Sequence, residues 1–176
     1  SGGIGQMAKA RNVNTIQAEA TFLSNNEVQL KSESSTDTIT FDYCIIASGS
    51  SSSIIPGIPF DNENVLNSKT ALDLEKIPKS LLVIGGGYIG LEMGTVFSAL
   101  GSSVSLAEFL PNLLPGADPD LVKPLARKLK KEFNEILLST KITKVEQAKS
   151  GAMDVTMEKD GEEVTKQYEQ VLVSVG

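Results

Sequence analysis

The chain has 176 residues, of which 40% are hydrophobic and 22% are charged, and its formal net charge is −6. This acidic balance argues against a nucleic-acid partner and against binding to acidic membrane surfaces. The sequence has no histidine, which excludes an imidazole acid–base group, a histidine metal ligand and a Ser–His or Cys–His nucleophile pair. No metal site is predicted. A single cysteine excludes an intramolecular disulfide, which agrees with a reducing, cytoplasmic location.

The first part of the chain is predicted to form a short helix and several strands. No apolar run is long enough for a membrane span, and the first residues lack a signal-peptide pattern. The helix is expected over residues 2–10, and Asn25-Asn26 is the expected turn of a hairpin. The predicted strands cover residues 15–23, 27–32 and 36–41.

An apolar run over residues 43–47 predicts a buried strand, with Cys44 as a small core residue rather than a reactive thiol. Serine, proline and glycine dominate residues 50–59, which predicts an irregular crossing segment and a domain boundary. After it, Ser68 is the expected cap of a short helix that ends before Pro78.

Residues 81–108 carry the clearest motif of the chain. The apolar run 81–84 predicts a buried strand. Three glycines follow: Gly85 permits a tight turn, Gly87 lets the backbone approach a pyrophosphate, and Gly90 lets the next helix pack closely on the sheet. Phosphates are expected at the helix N-terminus, where unpaired N–H groups favour an anion.

Glu108 lies 18 positions after Gly90, at the end of the next predicted strand, 104–107. A carboxylate there accepts hydrogen bonds from the ribose hydroxyls of adenosine and repels a 2′-phosphate. The motif therefore predicts a βαβ unit that binds NAD rather than NADP. The glycine pattern or Glu108 alone would be a weak signal, and their combined spacing carries the inference.

The remaining elements complete an α/β pattern. Asp118 is the expected cap of a helix that begins with Pro119 and runs to about residue 133. Its apolar face is predicted to contain Leu121, Val122, Leu125 and Leu129. Strands are predicted over 141–147, 153–158, 163–168 and 171–175, with a turn at 159–161. The expected fold is a parallel sheet with flanking helices and an antiparallel β-meander.

These residues resemble the dihydrolipoamide dehydrogenases, flavoprotein disulfide oxidoreductases of the pyridine nucleotide-disulfide oxidoreductase family. The similarity includes SGGIGQMAKARNV, FDYCIIASGS, LLVIGGGYIGLEMGTVFSALGS, SLAEF and VLVSVG, in the family's order. The resemblance implies an FAD/NAD(P)-binding Rossmann-like fold and a central fragment of the family polypeptide. Residues 1–60 would be the end of the first half of the FAD domain, and residues 61–176 the NAD domain.

The resemblance also implies the activity. The family oxidises dihydrolipoamide through a redox-active disulfide and FAD, with hydride transfer to NAD⁺, as a homodimer within 2-oxo-acid dehydrogenase complexes. The cysteine pair and the catalytic histidine of the family have no counterpart in this sequence, so no catalytic residue is assigned and the isolated chain is expected to be inactive.

The family's binding residues can be carried over position by position. Those matched to NAD are Gly85, Gly86, Gly87, Tyr88, Ile89, Gly90, Glu92, Glu108, Ile142 and Gly176. Those matched to FAD are Ala20, Ser48, Gly49 and Ser50. Ser48–Ser50 has serine where threonine is usual, and Ala20 stands where glycine is common. Tyr88 can equally be a first-turn residue that packs on the sheet, and Glu92 a favourable acid near a helix start.

Two alternatives stay open. Another flavoprotein disulfide reductase, such as a mercuric or glutathione reductase, would carry a similar segment. Glutathione reductases usually have alanine at the position of Gly90 and basic residues near Glu108, which this sequence lacks. A non-catalytic nucleotide-binding module would need only the NAD(H) site.

Overall fold

A computed structural model describes residues 2–73 and 75–175. The chain divides into two compact units, Ser1–Gly49 and Ser50–Gly176. The second unit therefore starts before residue 61, because Ile58 is buried in its core and Ile55 and Phe60 pack against that core. The assignment of residues 1–60 and 61–176 to an FAD and an NAD domain stays a prediction.

The first unit contains one helix and a three-stranded antiparallel sheet in the order β1-β2-β3. Its elements are α1 (Gly2–Ala10), β1 (Glu19–Phe22), β2 (Glu27–Lys31) and β3 (Thr36–Thr40). The predicted hairpin at Asn25-Asn26 is confirmed, since β1 and β2 pair with Phe22 opposite Val28. None of the residues 2–49 is buried.

The predicted strand over residues 43–47 is wrong. These residues form no regular element, and Tyr43 and Ile45 are 95% and 93% exposed. Cys44 is exposed as well, so its prediction as a buried core residue is also wrong. An apolar run becomes a buried strand only when neighbouring strands take up its backbone hydrogen bonds and other elements cover its faces. Within the described residues, no strand pairs with this run.

The second unit is built on a five-stranded parallel sheet in the order β4-β11-β5-β6-β7. Its strands are β4 (Val65–Leu66), β5 (Ser80–Ile84), β6 (Ser103–Ala107), β7 (Glu135–Leu137) and β11 (Gln170–Val173). The two α-helices are α2 (Tyr88–Ala99) and α3 (Pro119–Glu132), and the meander strands are β8 (Lys141–Gln147), β9 (Met153–Lys159) and β10 (Glu162–Tyr168). The expected architecture is confirmed. No described helix combines the length and apolar character needed to cross a bilayer.

The sequence did not predict β4 and β7, which have two and three residues. Such short segments show no periodicity of their own and become strands by pairing with β11 and β6. The turn between β9 and β10 was predicted, and it is a two-residue loop in which Asp160 and Gly161 have φ of 53° and 82°. Positive φ at both positions is typical of a type I′ hairpin turn.

The parallel sheet is covered on both faces. Val171, Leu82 and Val173 point to a core shared with the meander, where Met153 and Val155 are fully buried. Leu81, Val83 and Leu172 belong to a second core with helices α2 and α3. Burial on both faces is what requires near-continuous apolar sequence in the central strands.

Helix α3 begins as predicted, because the Asp118 side chain accepts a hydrogen bond from Asp120 N at 3.1 Å and Pro119 stands in the first turn. Leu121 was predicted on its apolar face but is 76% exposed. The buried stripe follows Val122, Ala126 and Leu129 at helical spacing, so that Leu121 falls on its solvent side.

The segment before β5 also differs from its prediction. It contains a short 3₁₀ helix, Thr70–Leu72, whose N-cap residue is Lys69 rather than the expected Ser68. The Asn67 side-chain oxygen accepts hydrogen bonds from the backbone N–H groups of Lys69 and Thr70 at 2.9 and 3.0 Å. The side-chain oxygen of asparagine accepts hydrogen bonds from the first N–H groups of a helix as well as a serine hydroxyl does.

Tyr168 joins the meander to the sheet. Its hydroxyl donates to Glu135 at 3.3 Å, and Lys166 donates to both oxygens of the same carboxylate at 2.7 and 2.8 Å. Burial raises the pKa of Tyr168 from 10.0 to about 12; Ser105 lowers it through a hydrogen bond, and the negative charge of Glu135 raises it further.

This pKa shift predicts a loss of stability in alkali. The folded state holds the phenol proton more tightly than the unfolded state does, so the stabilisation is complete below pH 10 and disappears between about pH 10 and 12. Urea unfolding at pH 9 and at pH 11.5 would measure it, with Tyr168→Phe as the control that lacks the titrating group. An equal loss of stability in both proteins would contradict the prediction.

Candidate functional site

The glycine loop lies at the carboxyl edge of the parallel sheet. Gly85 follows β5, and its N–H donates to Ala107 O at the end of β6 at 2.9 Å. The chain proceeds from β5 to β6 and β7 on one side, whereas β11 pairs with β5 on the other side. This reversal of strand order is a topological switch point, where open α/β sheets bind ligands beyond the carboxyl ends of their strands.

Two glycines of the loop are required by close packing. Gly85 has φ +109°, and a Cβ there would lie 2.7 Å from Ser174 O. A Cβ on Gly90 would lie 2.2 Å from Gly85 O and 2.5 Å from Ser174 Oγ. Helix α2 therefore packs against the loop at a distance that only glycine permits, as the motif predicts.

The N-terminus of α2 is open. Gly87 is the N-cap residue, in an extended conformation and without a side-chain cap, and a Cβ there would meet no atom within 4 Å. The first N–H groups of a helix have no partner within it, and the helix dipole adds positive potential. Tyr88 is 70% exposed at this end, so it does not pack on the sheet. Ile89 is partly buried.

Glu108 lies beside the glycine loop and is 8% exposed. Its Oε2 accepts a hydrogen bond from Gly86 N at 2.6 Å, and its Oε1 accepts one from Leu110 N at 2.7 Å. Each carboxylate oxygen has two acceptor positions, so one on each is not used by these two hydrogen bonds. The carboxylate thus fixes the loop and keeps acceptor capacity.

A cleft of about 240 Å³ opens beside this carboxylate. Its walls include Ile55, Gly85, Glu108, Phe109, Thr140 and Ile142. The predicted residues Gly85, Glu108 and Ile142 are therefore brought together, with Ile142 partly buried on the meander side. Lys141, an exposed cation, lies at the rim. Apolar walls with few polar groups are typical of small-molecule sites.

Two other matched residues lie elsewhere. Glu92 is exposed on α2, one turn beyond its start. Gly176 lies outside the described residues. Their roles stay predictions.

Three of the residues matched to FAD, Ala20, Ser48 and Gly49, lie in the first compact unit. Ala20 is exposed in β1, and Ser48 and Gly49 are exposed in the irregular segment that follows the first sheet. Ser50 belongs to the second compact unit. No hydrogen bond of the described residues joins Ala20 to Ser48 or Gly49. Their assignment to FAD rests on the resemblance alone.

The motif did not reveal Ser174, which directly follows β11 and contacts the glycine loop. Its hydroxyl donates to Ile84 O at 3.0 Å and lies 3.3 Å from Gly85 O. The small side chain directly after the last apolar strand was the available signal, but the sequence does not show that β11 pairs with β5.

Residues 1–176 match the family model described as pyridine nucleotide-disulphide oxidoreductase. The chain is 39% identical over its whole length to a dihydrolipoyl dehydrogenase of Vibrio cholerae and 41% identical to one of Haemophilus influenzae. It spans 37% of the length of each of these relatives.

Solved structures show the same fold. LpdA from Mycobacterium tuberculosis superposes with a TM-score of 0.85 at 22% identity, over 100% of this chain and 39% of the other. The HOCl-induced flavoprotein disulfide reductase RclA from Escherichia coli superposes with a TM-score of 0.77 at 22% identity, over 98% and 38% of the two chains. With the family model matched from end to end, this chain belongs to the pyridine nucleotide-disulphide oxidoreductase family.

Proposed function

We propose that the second unit binds NAD(H) and that the chain is the NAD(H)-binding segment of a dihydrolipoyl dehydrogenase. The observation that carries the first part is the uncapped N-terminus of α2 at Gly87, directly beside the buried carboxylate of Glu108. A diphosphate fits the open N–H groups, and ribose hydroxyls fit the free acceptor positions of the carboxylate.

Charge favours NAD(H) over NADP(H). A 2′-phosphate would place negative charge beside Glu108, which is largely shielded from solvent. Lys141 would attract the same phosphate, but it is exposed at the rim, where water and salt screen its charge. The buried carboxylate therefore dominates the preference.

The proposal for the whole protein rests on its relatives. The chain matches curated dihydrolipoyl dehydrogenases at 39% and 41% identity but covers 37% of their length. The residues of this chain would bind the dinucleotide, orient it across the sheet edge and exclude water from its adenosine end. When bound, NAD⁺ supplies the hydride acceptor: dihydrolipoamide and NAD⁺ become lipoamide, NADH and one proton. FAD, the redox disulfide, a homodimer and a 2-oxo-acid dehydrogenase complex belong to the same proposal.

The isolated chain is expected to bind nucleotide without catalysing a reaction, since one cysteine cannot form a dithiol centre. Calorimetric titration of the chain with NADH and NADPH in parallel tests the proposal. We expect NADH to bind at least about tenfold more tightly, a difference of ~1.4 kcal/mol. Equal affinity for NADPH, or the absence of binding, would overturn the NAD(H) assignment.

A further inference from the structure

The loop between β6 and α3, residues 109–117, is joined to the glycine loop by a backbone hydrogen bond. Leu114 N donates to Gly86 O at 2.9 Å. Gly86 N donates to the Glu108 carboxylate, which also accepts a hydrogen bond from Leu110 N. The C=O of Gly86 is thus bonded to the loop directly, through Leu114, and its N–H is linked to Leu110 through the Glu108 carboxylate.

Leu113 adds a packing contact at the same point. It is 4% exposed and belongs to the core that the sheet shares with α2 and α3. A Cβ on Gly86 would lie 2.8 Å from Leu113 Cδ2 and 3.1 Å from Glu108 Oε2. Gly86 does not have positive φ, so its backbone conformation would accept alanine. A side chain at this position would therefore press on Leu113 and Glu108, while the backbone conformation would tolerate it.

The backbone of the loop is itself constrained. Leu114 has φ +50°, a left-handed conformation that is uncommon for a residue with a side chain. Its N–H is the donor to Gly86 O, and its O accepts from Ala117 N at 3.0 Å. Such a conformation persists when the surrounding contacts determine it, as the buried Leu113 side chain does next to it.

We propose that Leu113 is a positioning residue that holds the glycine loop in its nucleotide-binding conformation. The inference rests on the proposed NAD(H) site and assigns the loop 109–117 a role in the affinity of that site. Leu113 does not touch the open space at Gly87; it acts through Gly86, whose placement sets where the next backbone N–H groups point. A loop that is held in place before binding loses less entropy when the ligand binds.

The first test compares two buried leucines of the same core in the full chain. Leu113→Ala is expected to raise the Kd for NADH about tenfold. Leu129→Ala removes a fully buried leucine from α3 and is the matched control, because it destabilises the same core and Leu129 is not among the nearest neighbours of a Cβ at Gly86. Its Kd is expected to stay within about twofold of the wild type. Equal changes in Kd would show a general loss of stability and overturn the proposal.

The second test uses the contact itself. Gly86→Ala is expected to raise the Kd for NADH about a hundredfold, because its Cβ would displace the loop. In the double variant with Leu113→Ala, the leucine methyl closest to the new Cβ is absent. The Kd of the double variant is therefore expected not to exceed that of Gly86→Ala. Independent effects would instead multiply to about a thousandfold, which would contradict the contact.

A nucleotide-free measurement separates this inference from the proposed function. In Leu113→Ala, hydrogen exchange at the amides of Gly86 and Leu114 is expected to rise more than about tenfold relative to Val83 in β5. Unchanged relative exchange overturns the positioning role even if NADH binds. If the wild type fails to bind NADH, the proposed function is overturned, and the exchange data alone decide whether Leu113 holds the loop.

Discussion

Gly90→Val is expected to cause the largest loss of both folding stability and NADH binding. The added Cβ would lie 2.2 Å from Gly85 O and 2.5 Å from Ser174 Oγ. Gly85 and Ser174 directly follow strands β5 and β11, which hold them in place. Relief requires α2 to move away from the sheet, which separates the helix from a well-packed core. Overpacking typically costs about 1–3 kcal/mol, and a contact this close to backbone is expected at the upper end of that range.

The same substitution at Gly87 is the matched control. A Cβ there meets no atom within 4 Å, and the extended backbone of this residue accepts a β-branched side chain. We expect Gly87→Val to change the free energy of unfolding by less than about 1 kcal/mol. Because the side chain would occupy the space in front of the α2 N-terminus, it is expected to raise the Kd for NADH at least tenfold, or ~1.4 kcal/mol.

Urea unfolding and NADH calorimetry on both variants would check these expectations. The pair separates a glycine needed for the fold from a glycine needed for the ligand. Full stability of Gly90→Val would contradict the close packing of α2 on Gly85 and Ser174. Unchanged NADH affinity of Gly87→Val would show that the ligand does not approach this helix end.

Glu108→Gln is expected to lower both the free energy of unfolding and the preference for NADH over NADPH. The carboxylate accepts from two backbone N–H groups, whereas an amide has one oxygen, so its NH₂ group would face Gly86 N or Leu110 N. An unsatisfied buried donor costs about 1–3 kcal/mol. The free energy of unfolding should fall by that amount, and the Kd for NADH should rise because the glycine loop loses its anchor.

The change also removes a negative charge. Two unit charges 4 Å apart near a protein surface interact by about 4 kcal/mol, so a loss of ~1.4 kcal/mol of discrimination is a conservative expectation. The ratio of the Kd values for NADPH and NADH should therefore fall about tenfold. Glu162→Gln removes the same charge from an exposed position on β10, at a residue not matched to NAD, and serves as the control. An unchanged ratio in Glu108→Gln would show that Glu108 does not set the preference.

Much of the fold could be predicted because its signals are local. The apolar run of β5, the cap at Asp118 and the Asp160-Gly161 turn each specify an element through neighbouring residues, and each was confirmed. The run over residues 43–47 has the same apolar signal as β5 but is exposed. The difference lies in the neighbours: β5 is paired on both sides, by β6 and β11.

For the site, the sequence by itself determined the spacing of Gly85, Gly87 and Gly90 and the presence of Glu108 after the second strand of the βαβ unit. Spacing of this kind follows from covalent geometry, because a strand, a turn and a helix of given length return the chain to the next strand end. Only the tertiary structure decided which distant residues contact the glycine loop. Ser174 lies against Gly85 from 89 positions further along the chain, and Leu113 lies against Gly86 from 27 positions further along. Contacts between distant segments depend on strand order and side-chain packing, which no local pattern encodes.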